Sequence, residues 1–170
     1  PDDALATVEL NVVAPTVLTR ALLPGMIERA RRDRRRCGLI LVSSTTAFQP
    51  IPLLTTYSAT KSFVLDYGEG LREETRRDPL DLLVLCPGAT RTEFSERSGF
   101  DLGSIPGADD PMKVAREGLE NLGHRTVHVV GVGTRAALTP FLIPRRIATT
   151  GAGAIMSILG KANRLKPRQM

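Results

Sequence analysis

A chain of 170 residues, 42% of them hydrophobic and 24% charged, is long enough for one domain with a substantial core and too apolar to be intrinsically disordered. Aromatic residues make up 4% and tryptophan is absent, which argues against a platform that stacks single-stranded bases. The formal charge of +5 is concentrated in Arg29–Arg36 and in the C-terminal tail.

Asp2 and Asp3 can cap a helix running from about Ala4 to about Arg34. Leu5, Val8, Val12, Leu18, Leu22 and Met26 recur near helical spacing, and Pro15 and Pro24-Gly25 are expected to kink or interrupt that helix. Its arginine-rich end reads as a solvated terminus that complements the helix dipole, not as a nucleic-acid or anionic-surface patch. Leu39–Val42 is a short apolar run of the kind found in buried parallel strands. Residues 44–55 are a polar, proline-marked loop. Thr56–Arg77 is an amphipathic helix stopped by Asp78-Pro79. Leu82–Cys86 is a second buried strand, ended by Pro87-Gly88, and residues 89–110 read as a loop with one helical turn. Pro111 opens a helix that runs to about Asn121, and Thr126–Val130 is a third strand. Alternation of strand and helix predicts an α/β fold with a parallel sheet, and no internal repeat is found.

Cys37 and Cys86 adjoin or end strand-like runs and read as reduced, buried thiols of a reducing compartment. The acidic, polar start does not read as a signal peptide, and the best apolar run is broken by Arg145 and Arg146, so the expected location is cytoplasmic. His124, His128 and the acids show no metal-ligand spacing, and no metal is expected.

The chemistry concentrates at the carboxyl ends of the first two strands, where α/β sheets place ligands. Tyr57 and Lys61 lie four apart, one helical turn from each other. An ammonium so placed is expected to lower the phenol's pKa, making Tyr57 a general acid/base for an alcohol or carbonyl. Ser44 could hold the substrate oxygen and stabilise charge developing on it. Gly88 would let a ligand approach the backbone, and Thr90 and Thr92 offer hydroxyls to a planar amide. Lysines are few (Lys61, Lys113, Lys161 and Lys166) among many arginines, which suggests that Lys61 is there for its compact ammonium.

Residues 8–94 resemble the short-chain dehydrogenase/reductase family. The resemblance rests on Leu10-Asn-Val-Val-Ala-Pro15, Gly38-Leu-Ile-Leu-Val-Ser-Ser44, Tyr57-Ser-Ala-Thr-Lys61 and Cys86-Pro-Gly-Ala-Thr-Arg-Thr92, in that order and at fitting spacings. It implies a Rossmann-like doubly wound fold that uses NADP or NAD, NADP slightly favoured. It also implies a catalytic tetrad of Asn11, Ser44, Tyr57 and Lys61, with Asn11 holding a water in a proton relay to Lys61. Pro87, Gly88, Thr90 and Thr92 would flank the nicotinamide, with Ser43, Tyr57 and Lys61 completing the cofactor face. Residues 93–110 would cover a small-molecule substrate, and the Gly-punctuated apolar residues between 94 and 112 suggest a hydrophobic one. The family implies a homo-oligomer when the fold is complete. Residues 1–133 are assigned to this catalytic part and 134–170 to a variable, basic, helical extension. The apolar stretch 137–160 suits a peripheral membrane contact, a cap over the substrate or an oligomer contact.

The family's glycine-rich pyrophosphate turn and its Asn-Asn-Ala-Gly strand do not occur in this sequence. The chain alone is therefore expected to be an incomplete, C-terminal half that binds dinucleotide poorly and is inactive. Half a parallel sheet would also expose an edge and an apolar face, which predicts instability or aggregation. Gly131-Val-Gly-Thr-Arg-Ala136 matches a dinucleotide fingerprint after a strand, but no second βαβ unit follows, and it is read as a turn. The expected function is an oxidoreductase interconverting a secondary alcohol and a ketone, or reducing an aldehyde. The alternatives are a non-catalytic relative acting as a binding or scaffold protein, and a basic membrane- or nucleic-acid-binding module.

Overall fold

The computed structural model describes residues 2–49, 51–91, 108–136 and 138, with side chains from Ala4 onward. The expected positions Thr92, most of 93–110 and most of 134–170 lie outside the described residues.

Three parallel strands, β1 (Cys37–Val42), β2 (Leu80–Cys86) and β3 (Val127–Val129), form one sheet in the order β1-β2-β3. Cys37 pairs with Leu80 and Val42 with Leu85, while Val84 pairs with Val127. The central strand is buried on both faces, as its unbroken apolar run demands. Leu82, Val84 and Cys86 face a cluster with Leu65 and Leu71 of the long helix α3 (Thr55–Glu74). Leu83 and Leu85 face the other way, onto Val114 and Leu122, which belong to α4 (Pro111–Asn121) and its C-cap. Strand order advances in one direction, yet α3 and α4 cover opposite faces, so the two crossovers have opposite hands. One of them breaks the right-handed preference of parallel crossovers.

The N-terminal helix is continuous from Asp2 to Arg32, as α1 (Asp2–Val8), a π-helical turn (Glu9–Val13) and α2 (Ala14–Arg32). The expected interruptions at the prolines take another form. Pro24 sits inside α2, and the irregularity is the π turn, in which the Ala14 N–H bonds the Glu9 carbonyl. Pro15 has no N–H to give the carbonyl of Asn11, four residues earlier, and its ring crowds that carbonyl; the inserted residue relieves both.

Ala4–Arg32 is long and apolar enough, by length and composition, to cross a bilayer. That corrects the sequence reading, which found its best candidate near Arg145. Here the helix is a domain element: Thr19, Leu23 and Ala30 are buried, and Leu23 joins the α3-side core. Its outer face carries exposed Leu10, Val13, Val17, Leu18 and Leu22, and β1 has no strand on its outer edge among the described residues. At the opposite end of the sheet, the arginine run is partly structural. Arg31 pairs with Asp78, and Arg36 with Asp81 at 2.7 Å and with the Leu80 carbonyl at 2.7 Å, tying the helix end to the start of β2.

Candidate active site

The carboxyl ends of β1 and β2 lie side by side, joined beyond the strands by Ser43 N–H to Leu85 O (2.7 Å) and Thr45 N–H to Pro87 O (2.9 Å). Ser44 caps a short 3-10 turn (Thr45–Phe48), accepting the Thr46 N–H at 3.2 Å. This turn and the first turns of α3 bring the Ser44 hydroxyl near the Tyr57 phenol, where it acts to lower the phenol's pKa.

Ser43 gives its hydroxyl proton to the fold. It is 3% exposed, and its hydroxyl donates to the Lys61 carbonyl at 2.7 Å, which pins β1 to α3. Lys61 Nζ donates to the Val42 carbonyl at 3.1 Å and lies 5.6 Å from the centre of the Tyr57 ring. It thus stands over the ring, with its charge on a backbone oxygen.

This geometry corrects the expected electrostatics. Burial pushes the Tyr57 phenol above its ordinary 10.0, with the Ser44 hydroxyl opposing the rise. Burial likewise lowers the Lys61 ammonium from 10.5, countered by the nearby Cys86 thiol. At neutral pH this Tyr57 holds its proton and is set to donate it. Spacing alone suggested a lowered phenol; in the fold burial raises it, and it is the Ser44 hydroxyl that opposes the rise.

Asn11 lies in the π turn, and its Nδ2 donates to Thr60 Oγ1 at 3.1 Å. Thr60 is buried and donates in turn to the Tyr57 carbonyl at 2.8 Å. All four expected tetrad residues therefore meet around the first turns of α3. Thr60 is the participant that sequence reasoning missed. Its only sequence signal was its position inside the Tyr57–Lys61 motif.

After β2, no atom of the described residues other than Gly88's chain neighbours lies within 4 Å of where a Cβ on Gly88 would sit, so among them that backbone is open, next to the end of β1 that leads to Ser44. Thr90 Oγ1 donates to the Gly88 carbonyl at 3.1 Å, and Thr90 bridges Asp109, closing the segment onto the N-cap of α4. These residues suit a planar, nicotinamide-like ring laid against the open glycine. Nothing in the sequence supplies the glycine-rich turn for a pyrophosphate. The fit is therefore to the nicotinamide end of the cofactor alone.

Leu53, just before α3, has φ 68° and is 86% exposed. A branched, bulky residue in left-handed backbone is strained, and no sequence signal marked it. The second glycine motif resolves as a turn: Gly131 has φ 82° and leads into helical residues 132–136. Its N–H is already taken at 3.3 Å by the Glu117 carboxylate, which also holds buried His128 at 2.8 Å. A protein anion stands where a phosphate would have to sit.

Residues 1–101 match the family model described as short chain dehydrogenase. Among curated proteins, the chain is 31% identical over 164 residues to the mouse (Mus musculus) "very-long-chain 3-oxoacyl-CoA reductase", covering 96% of this chain and 42% of that one. The chain thus spans less than half the length of that relative. Among solved structures it resembles a 3-ketoacyl-(acyl-carrier-protein) reductase from Brucella melitensis complexed with NADH, with a TM-score of 0.68 at 25% identity over 79% of this chain and 58% of the other. It also shares the fold of a short-chain dehydrogenase from Sphingobium yanoikuyae in complex with NADPH, with a TM-score of 0.66 at 24% identity over 96% of this chain and 57% of that one.

Proposed function

This chain belongs to the short-chain dehydrogenase family, and on that premise we propose that it is the catalytic part of an NAD(P)-dependent oxidoreductase that interconverts a ketone and a secondary alcohol. The observation that carries the reading is the convergence of Ser44, Tyr57 and Lys61 at the carboxyl end of β1, with Lys61 Nζ 5.6 Å from the Tyr57 ring centre and a phenol that burial keeps protonated, beside Gly88. The nicotinamide cofactor, when bound, supplies the hydride that reaches the carbonyl carbon. Ser44 and Tyr57 together receive the carbonyl oxygen, and Tyr57 gives that oxygen its proton as negative charge develops there. Lys61 delivers positive charge next to the phenolate so formed, and Asn11 lies one hydrogen bond from the Tyr57 turn. Pro87, Gly88 and Thr90 hold the nicotinamide end. The mouse and Brucella relatives are named for 3-oxoacyl substrates, which favours a ketone on an acyl chain and agrees with a hydrophobic substrate.

The test is Tyr57→Phe in the protein as its host produces it, assayed with a long-chain 3-oxoacyl thioester and NADPH or NADH. Turnover should fall by at least about a hundredfold, the scale of general acid catalysis, with cofactor affinity unchanged. Retained turnover would sink the assignment.

A further inference from the structure

Asn11 is held from two directions that have nothing to do with a ligand. In an α-helix the Asn11 carbonyl would accept from the N–H of residue 15, and residue 15 is a proline. The π turn at Glu9–Val13 is where the helix absorbs that defect. On the side-chain end, the Asn11 amide donates to Thr60, whose own hydroxyl is fixed by donating to the Tyr57 carbonyl. Thr60, the link between the two bonds, is 3% exposed, while Asn11 is half-buried. This chain of bonds couples a bulge in the N-terminal helix to the turn that carries both Tyr57 and Lys61.

We propose that Thr60 and Pro15 are positioning residues of the reaction: Pro15 denies the Asn11 carbonyl its α-helical partner, and Thr60 fixes the Asn11 amide to the backbone of Tyr57. This rests on the oxidoreductase reading above. Neither residue touches substrate. Together they leave Asn11 with a backbone oxygen free of its usual helix bond, at a fixed distance from the proton-handling turn. Such carbonyls, freed at π turns, are frequent at functional sites. Thr60 also explains a demand on the motif between Tyr57 and Lys61: a buried position there needs a hydroxyl that can accept from one helix and donate within another.

Three variants of the full-length protein test this. Thr60→Val keeps the shape and removes the hydroxyl; kcat should fall about tenfold, the loss of one buried hydrogen bond, with KM for ketone and cofactor unchanged. The alkaline limb of its kcat profile should also move, because the Tyr57 turn has lost its tether. Thr60→Ser should restore both. Pro15→Ala gives Asn11 back a helical N–H donor; it should melt no lower than the parent and still lose kcat, a combination that mere loss of fold cannot produce. Parental kcat and pH profile in Thr60→Val, or parental kcat in Pro15→Ala, would overturn the proposal. So would a fall in kcat that Thr60→Ser fails to restore. Should Thr60→Val not fold, Pro15→Ala decides alone. Tyr57→Phe, run alongside, separates the two failures. If it keeps turnover, the oxidoreductase reading falls. If it is dead while Thr60→Val and Pro15→Ala are fully active, only the positioning role falls.

Discussion

Gly68 is where α3 meets the sheet, and replacing it with alanine tests how tightly the helix that carries Tyr57 and Lys61 is seated. A Cβ there would stand 2.2 Å from Val84 Cγ2 and 3.3 Å from Leu41 Cδ1. Carbon pairs rest at roughly 3.5–4.0 Å, so α3 must lift off β2 by roughly an ångström or more. Val84 cannot swing clear, being fully buried and β-branched. Alanine in a helix interior is worth about 1 kcal/mol over glycine, whereas overpacking a close-packed core costs about 1–3 kcal/mol. With a contact this short the upper end applies, leaving a net loss of about 2 kcal/mol. For a domain of this size that is a fall in Tm of about 4–8 °C. Activity should drop as well, because the lifted helix carries Lys61 away from the Val42 carbonyl that now anchors it. Val84→Ala removes the obstructing methyl, so the double variant should be more stable than the two separate losses added together, by about 1–3 kcal/mol. Thermal melts of the four proteins give the answer. Gly68→Ala melting at or above the parent, or strict additivity in the double variant, would refute the reasoning.

Glu117→Gln should cost about 1–3 kcal/mol at neutral pH, because buried His128 and the Gly131 N–H lose a charged acceptor. Burial pushes the Glu117 carboxyl up, but His128, Gly131 and Lys113 outweigh it and hold it below 4.5. The contribution is therefore fully present above that value and lost as pH falls through the lowered one; an unchanged acid limb of stability against pH in Glu117→Gln would sink this. Leu53→Gly relieves left-handed strain of about 1–2 kcal/mol at a glycine entropy cost of about 0.5–1 kcal/mol, so Tm should rise slightly. A lower Tm would mean that the Leu53 side chain holds a contact that stabilises the loop.

Strands were legible because buried parallel strands are written as uninterrupted apolar runs, and α4 because Asp110-Pro111 is a start signal with a mechanism: the Asp110 carboxylate accepts the Met112 N–H at 2.7 Å. The opposite hands of the two crossovers were not legible. Alternation along β2 says that two faces are buried, never which helix lies on which. At the first helix Pro15 was the right signal with the wrong consequence: proline rules predict a kink or a break, while tertiary packing of Leu23 and Ala30 holds the helix together and leaves only a π turn. The sign of the Tyr57 shift was out of reach for a similar reason. Spacing places an ammonium near a phenol, but burial of both, and the carbonyl that captures the ammonium, are properties of the folded chain.

The adjacent serines show how one residue of register separates two roles. From sequence, Ser43 and Ser44 compete for the substrate oxygen, and only spacing to Tyr57 prefers the second. In the fold, successive residues of an extended segment point to opposite sides. Ser43 turns to the Lys61 carbonyl and Ser44 to the Tyr57 side chain. Ser62 repeats the first role, donating to the Ala47 carbonyl at 2.8 Å, so α3 is stitched to both sides of the loop that carries Ser44. Those bonds run from hydroxyls to backbone carbonyls and need no ligand to form. The approach of Ser44 to Tyr57 is therefore set by the chain's own backbone, without a ligand, which is the condition that the proposed reaction needs for electrostatic stabilisation without reorganisation.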